Sequence, residues 1–262
     1  MDRRRLGWRA CYELLASRVR RPEWSFMNYG YAPDDGETPL VLAPEDEADR
    51  LCIGLYARTL GDLPLGGRDV LEVGCGRGGG ASWIARQHRP RSTVGLDFSA
   101  AAVDLCARHR HAPGLSFVRG DAEAMPFPDA SFDVVVNVES SHCYGSVPAF
   151  AAEVQRVLRP GGTFVWADFR PAERVATALG ELEAHGLRLA AQEDVTGRVV
   201  AALRADDDRK ARLIHAWVPK VAHPLFRRFA AMEGSRGFEA FAAGRTRYLV
   251  ARLEKPASVR AA

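Results

Sequence analysis

The 262-residue sequence contains no apolar run near the ~20 residues that a membrane-spanning helix needs. Its basic start, Met1-Asp-Arg-Arg-Arg5, leads into Cys11 to Ala16, a stretch too short and too interrupted for the apolar core of a secretory leader. The five cysteines, at 11, 52, 75, 106 and 143, are odd in number, scattered and without CxxC spacing. That pattern argues against both a zinc site and a disulfide framework, so a reduced, cytoplasmic setting is expected. The histidines at 88, 109, 111, 185, 215 and 223 show no ligand spacing and read as surface or core residues, so no metal is expected. The net charge of +3 is too small to argue for a nucleic-acid partner. The basic clusters at 1–5 and 18–21 lack interleaved aromatics and read as solvated surface. There is no internal repeat. Lysine is scarce beside abundant arginine and alanine, the composition of a GC-rich bacterial genome.

What remains is the composition of a globular chain with a real core: 47% apolar and 26% charged residues. Its length suits one large domain or a domain plus a cap. Residues 1–60 read as a helical N-terminal region or lid. Within it, helices are expected over Arg4–Val19 and Glu45–Leu60, with an irregular Pro- and Gly-rich stretch from Glu23 to Pro44 between them. From residue 68 the pattern alternates. Apolar β-branched runs at 69–73, 92–96, 115–118, 132–138 and 163–167 are separated by helical segments at 79–88, 99–109 and 148–158. Strands alternating with helices predict a parallel, doubly wound α/β sheet, and the almost wholly apolar Phe132–Val138 predicts a central strand covered on both faces. A helix over 172–185, a strand over 187–192, a mostly helical 195–243 and a last strand over 248–253 complete the chain. The expected organisation is a lid over 1–60, a Rossmann-like core over 61–194, a helical cap insertion over 195–244, and a last strand and tail over 245–262.

Val70-Leu-Glu-Val-Gly-Cys-Gly-Arg-Gly-Gly-Gly80 carries the most information. An acid closes an apolar strand, and glycines follow where the backbone must turn sharply and approach a ligand closely. Asp97, in Val94-Gly-Leu-Asp-Phe98, closes the second strand 25 residues after Glu72. An acid there accepts hydrogen bonds from both ribose hydroxyls. A helix-capping role for it is less suitable because Ser99 is the better cap. Asp121, in Val118-Arg-Gly-Asp-Ala122, can accept from an exocyclic amine while the next backbone N–H donates to a ring nitrogen, which is adenine recognition. A nicotinamide dehydrogenase is the structural cousin. Gly74, Gly76 and Gly79 match its glycine motif by letter, but Glu72 and the downstream motifs do not belong to that pattern.

With Pro126-Phe-Pro-Asp-Ala-Ser-Phe132 and Leu158-Arg-Pro-Gly-Gly162, the ordered set over residues 70–169 resembles the class I S-adenosylmethionine-dependent methyltransferases. The resemblance implies a Rossmann-like, doubly wound seven-stranded sheet, mostly parallel with an antiparallel last strand. It implies S-adenosylmethionine as cofactor, held by Glu72, Gly74, Cys75, Gly76, Asp97, Phe98, Asp121, Ala122, Asn137 and His142. Glu72 would hold the ammonium group, often through water, with Gly74 and Gly76 giving close backbone approach. Asp97 would take the ribose, Phe98 would pack on adenine, Asp121 and Ala122 would read its edge, and the Asn137 carbonyl would sit near the methionine end.

Transfer from a sulfonium needs in-line alignment and, for a hydroxyl acceptor, a general base. His142, in Glu139-Ser-Ser-His-Cys-Tyr144, follows the fourth strand at the ligand-binding rim of the sheet, and its side chain suits that base. The competing reading is a histidine that only shapes its loop. Asp168, at the end of the fifth strand, either orients His142 or caps the strand. Cys143 reads as a small packing residue, since methyl transfer needs no covalent intermediate. Tyr29 and Tyr31 either line the mouth or pack the loop. The motifs around His142 and Asp168, with Gly78–Ser82 and Pro113–Glu123, are similar to mycobacterial phthiotriol and phenolphthiotriol dimycocerosate O-methyltransferases. They are more distantly similar to sugar O-methyltransferases of natural-product pathways, where the equivalent His and Asp are the proposed catalytic pair. The function expected is O-methylation of a hydroxyl on a small-molecule secondary metabolite: a polyketide, glycoside or lipid. Methylation at carbon or nitrogen, or a non-catalytic cofactor-binding protein, are the alternatives. The oligomeric state is left open, a homodimer included.

Overall fold

The computed structural model describes residues 21–257; the helix expected over Arg4–Val19, the basic Met1–Arg5 and Cys11 lie outside them. Seven strands form one sheet: β1 (Asp69–Val73), β2 (Ser92–Asp97), β3 (Leu115–Arg119), β4 (Phe132–Val138), β5 (Leu158–Pro171), β6 (Arg188–Asp194) and β7 (Thr246–Glu254). Their order is β3-β2-β1-β4-β5-β7-β6. The pairs from β3 through β5 are parallel, whereas β7 runs antiparallel to both β5 and β6. The order reverses at β1 and β4, which is the switch point where ligands bind in open α/β sheets.

Helices α1 (Arg50–Leu60), α2 (Gly79–His88), α3 (Ala100–His109), α4 (Val147–Val157) and α5 (Val175–Glu183) cover the sheet. The strands are apolar on both faces, and successive residues point to opposite sides. Val70, Val134, Val136, Val165 and Val250 therefore pack with Ile53, Leu55 and Ile84 on one face. Leu71, Val135, Phe164, Trp166 and Leu249 pack with Phe150, Val154 and Leu182 on the other. Ser99 and Ser146 cap α3 and α4 by accepting from Ala102 N and Ala149 N, each at 3.1 Å, which satisfies one orphan N–H per helix.

The helix expected from Glu45 instead opens as a 3₁₀ segment, Pro44–Asp49, and becomes α-helical only at Arg50. Pro44 tolerates the first turn because its missing N–H is not needed there. β5 is also much longer than the apolar run at 163–167. Its ends extend the ladder, Arg170–Pro171 beside Thr246–Arg247 of β7 and Leu158 beside Phe132 of β4 across a register shift. Periodicity reports burial and misses ladder partners that are polar.

Four helices lie between β6 and β7: α6 (Thr196–Ala205), α7 (Asp207–Trp217), α8 (His223–Phe229) and α9 (Arg236–Ala242). α6 and α9 send Val199, Leu203, Phe238 and Phe241 into the sheet-face core. Ile214, Val218 and Met232 form a separate small cluster with Phe226. Among the described residues no helix is long and apolar enough to cross a membrane.

Phe150 joins these layers. It is wholly buried and meets Tyr144 and Phe164 edge-to-face at 5.0 and 5.7 Å. Phe150→Ala should cost about 3–5 kcal/mol through lost burial and an unfilled cavity. Denaturant unfolding should show a lower midpoint at an unchanged slope.

Candidate functional site

β1 ends in a turn in which Gly74, Gly76 and Gly78 all adopt positive φ, at +74°, +52° and +74°. Gly74 N and Cys75 N both donate to Leu96 O, at 2.8 and 3.0 Å, so the turn is tied to the end of β2. The glycines answer to the protein's own packing as well as to a ligand. A Cβ on Gly74 would lie 2.3 Å from Ser140 Oγ, and one on Gly80 would lie 2.2 Å from the Tyr56 ring.

A strap, residues 22–31, crosses over this turn. Arg77 donates to Trp24 O at 2.5 Å and to Arg21 O at 2.7 Å, with its guanidinium 4.9 Å from the Trp24 ring centre. Arg110 donates to Pro22 O at 2.6 Å, and Asn28 Nδ2 to Cys52 O at 3.3 Å. Turn, strap and α8 enclose a cavity of about 750 Å³. That is within the roughly 300–1,000 Å³ of small-molecule sites.

Gly74, Cys75, Gly76, Asp97, Phe98 and His142, all expected at the cofactor, line this cavity. Asp97 is 8% exposed; its Oδ2 accepts from Gly76 N at 2.8 Å and its Oδ1 from Ser99 N at 2.9 Å. Each oxygen has two lone pairs, so this oriented carboxylate retains acceptor capacity.

Four expected residues stand behind the wall. Glu72 is 1% exposed and accepts from the Tyr56 hydroxyl at 2.5 Å. Burial raises its carboxyl to about 7. Its Oε2 has no hydrogen-bond partner, and neither has Asn137 Oδ1. Asn137 is wholly buried, its Nδ2 lying 2.8 Å from Val73 O, 2.7 Å from Ser140 Oγ and 3.1 Å from the Tyr144 hydroxyl, contacts that its two N–H groups share. Two buried acceptors thus flank the start of the turn, a setting that an ammonium group or bridging water would complete. Asp121 and Ala122 sit in the turn after β3, where Asp121 accepts from Glu123 N at 3.1 Å; the cavity wall nearest that end is formed by Phe98, Ser99 and Ala102 instead.

His142 Nδ1 lies 2.8 Å from Asp168 Oδ1. Asp168 is wholly buried. Besides the ring it accepts from His142 N (2.9 Å), Ser141 Oγ (2.6 Å) and Phe169 N (2.8 Å), and it pairs with Arg170 at 3.2 Å. A carboxylate only accepts, so Nδ1 carries a proton and Nε2 is the nitrogen left to act. Burial by itself depresses the imidazole, but the Asp168 charge and hydrogen bond outweigh it and lift His142 to about 10. Asp168 is also penalised by burial, yet the His142 and Arg170 charges hold it well below the usual carboxylate range. The imidazole rests on Phe169 at 4.3 Å between ring centres, and Phe169 stacks on Tyr29 at 5.5 Å.

Glu139 is a wall residue that sequence reasoning missed. It has φ +47°, a left-handed conformation unusual for a residue with a side chain, directly after β4. Its Oε1 accepts from Tyr29 N at 2.7 Å and so ties the strap to the His142 loop. Burial raises it to about 8 despite that bond. The position after a strand was its only signal. Of the two strap tyrosines, Tyr29 lines the cavity, whereas Tyr31 is 4% exposed and bonds Glu37 at 2.7 Å. Cys143 lies on the wall beside His142.

Residues 71–166 match a methyltransferase domain. The chain is 42% identical over 229 residues to the phthiotriol/phenolphthiotriol dimycocerosates methyltransferase of Mycobacterium tuberculosis, covering 87% of this chain and 84% of that protein. It is 37% identical to the fatty-acid O-methyltransferase of Mycolicibacterium smegmatis, covering 94% and 89%. Among solved structures, the geranyl diphosphate C-methyltransferase of Streptomyces coelicolor A3(2) superimposes with a TM-score of 0.70 at 18% identity, covering 97% and 98%. The [4+2]-cyclase SpnF does so at 0.68 and 24%, covering 95% of each chain. At such identities these two likenesses establish the fold alone.

The His142 geometry has a pH signature. A histidine raised in the folded state stabilises the fold fully below its unfolded pKa of about 6.5, and that contribution is lost as pH rises through about 10. Wild-type stability should therefore fall between those limits by an amount absent from His142→Gln. NMR titration should place the wild-type ring near 10 and, in Asp168→Asn, at or below the ordinary histidine value, since burial then acts without its counter-charge. Equal titration in the two proteins would separate the ring from the carboxylate.

Proposed function

This chain belongs to the S-adenosylmethionine-dependent methyltransferases, and from that membership we propose that it methylates a hydroxyl oxygen on a lipid-like small molecule. The observation that carries this reading is the His142–Asp168 pair, with His142 on the wall of the cavity and its Nδ1 anchored at 2.8 Å.

The residues present fit the cofactor. Asp97 offers an oriented carboxylate for ribose hydroxyls, Phe98 an apolar face for adenine, and Glu72 and Asn137 unpaired acceptors toward the methionine end. When bound, S-adenosylmethionine supplies an electrophilic methyl group on a positively charged sulfur. The protein's part is then to place the acceptor and take its proton. Asp168 fixes the ring so that Nε2 receives that proton, and it stabilises the imidazolium that results. The remaining wall, with Val138, Phe169, Leu225, Phe226 and Phe229, is apolar and suits a hydrocarbon-rich acceptor. The names of two relatives, a dimycocerosates methyltransferase and a fatty-acid O-methyltransferase, support the same class.

A ring raised to about 10 is already protonated at neutral pH and cannot accept. A like charge nearby disfavours the protonated form, so a cationic donor held in this cavity would lower the His142 pKa toward the working range.

His142→Ala should leave S-adenosylhomocysteine binding intact and lower turnover by about 10²-fold or more. Wild-type turnover should rise with pH to a plateau governed by a group below 10, and that limb should vanish in the variant. Calorimetric titration and a methyl-transfer assay across hydroxylated lipids, polyketides and glycosides check both. Full turnover in His142→Ala would point instead to an amine or an activated carbon as acceptor.

A further inference from the structure

A second cavity, of about 530 Å³, lies on the other side of the strap. The two cavities share Ser25–Tyr29, Phe226 and Phe229 as a common wall. The second cavity therefore adjoins the one that His142 lines. Its own lining is largely hydrocarbon, from Trp24, Leu213, Ile214, Trp217 and Val218.

The charges facing it are unevenly matched. Arg209 takes both oxygens of Asp206, at 2.5 and 3.0 Å, and also reaches Asp49 at 3.2 Å. Arg110 is engaged by the Pro22 and Arg77 carbonyls. Glu23 and Glu45 lie exposed at the rim. Lys210 is different: its side chain is 13% exposed, its Nζ has no hydrogen-bond partner, and its contact with Asp206 is 3.7 Å, to an oxygen already bonded to Arg209. A buried cation short of hydrogen-bond acceptors is costly unless something supplies them.

We propose that this cavity binds an apolar chain bearing a carboxylate, with Lys210 as its counter-ion, and that the chain is the distal part of the methyl acceptor. The acceptor class is then a long-chain hydroxy acid, its hydroxyl at His142 and its carboxylate beyond the strap. This deepens the hydroxyl-methylation reading and rests on it for the hydroxyl end alone.

The test is direct binding of hexadecanoate and of hexadecanol to the full chain, with S-adenosylhomocysteine titrated separately. Hexadecanoate should bind the wild type and bind Lys210→Met at least 10-fold more weakly, whereas hexadecanol should not distinguish the two. Leu213→Trp, which fills the cavity, should weaken both ligands. S-adenosylhomocysteine affinity should be the same in all three proteins. Unchanged hexadecanoate affinity in Lys210→Met overturns the proposal, as does competition between hexadecanoate and S-adenosylhomocysteine for one cavity. Loss of S-adenosylhomocysteine binding in the wild type would instead strike at the methyltransferase site itself. Should Leu213→Trp fail to fold, the carboxylate-against-alcohol comparison in Lys210→Met still decides the matter.

Discussion

The Asp168 carboxylate is the constraint on which this candidate site depends. It is a wholly buried charge, tolerable only because a ring nitrogen, two backbone N–H groups, a serine hydroxyl and a guanidinium surround it. Those donors come from the end of β5 and from the short helical turn after β4, so satisfying one charge clamps two strand ends together. Ser141 extends the clamp, accepting from Trp166 Nε1 at 2.9 Å and from Arg170 at 2.8 Å. The direction in which Nε2 points is a consequence of this network. The same network favours the protonated ring, through the Asp168 charge and its hydrogen bond.

The glycine turn obeys a second constraint, that of space. At Gly74 and Gly80 the absent side chains make room for Ser140 and Tyr56. Tyr56 in turn holds the buried Glu72. The strap then closes over the turn through Arg77, Arg110 and the Tyr29–Glu139 bond. Ligand approach and protein packing thus ask for the same small residues, and a glycine motif read for its ligand reports both.

Much was legible from local pattern. The β-branched runs located β1 to β4 within a residue or two because a strand buried on both faces must be apolar throughout. His142 stood out because it follows the fourth strand at the sheet's ligand-binding rim, and Glu72 and Asp97 because each is an acid at the end of such a run. Asp121 stood out for the same reason, yet its side chain bonds its own turn and lies off the cavity wall. Glu139 did not stand out, since an acid after a strand looks like any loop acid until its left-handed backbone and its Tyr29 partner are seen. Tyr29 and Tyr31 show the limit of local reading: neighbours of the same type, one faces the cavity and the other bonds Glu37.

Taken alone, the sequence determined the sheet's class, the glycine turn and the acid after β2, because these depend on periodicity and on spacing within about thirty residues. It also determined that a histidine stands at the sheet's ligand-binding rim. Only the tertiary structure decided that Asp168 meets Nδ1 rather than capping its strand, that Glu72 and Asn137 lie behind the wall, and that the strap lines two cavities. Each of those outcomes joins residues distant in sequence through burial and hydrogen bonding, and a buried polar atom's partner is chosen by the packed fold rather than by its neighbours along the chain.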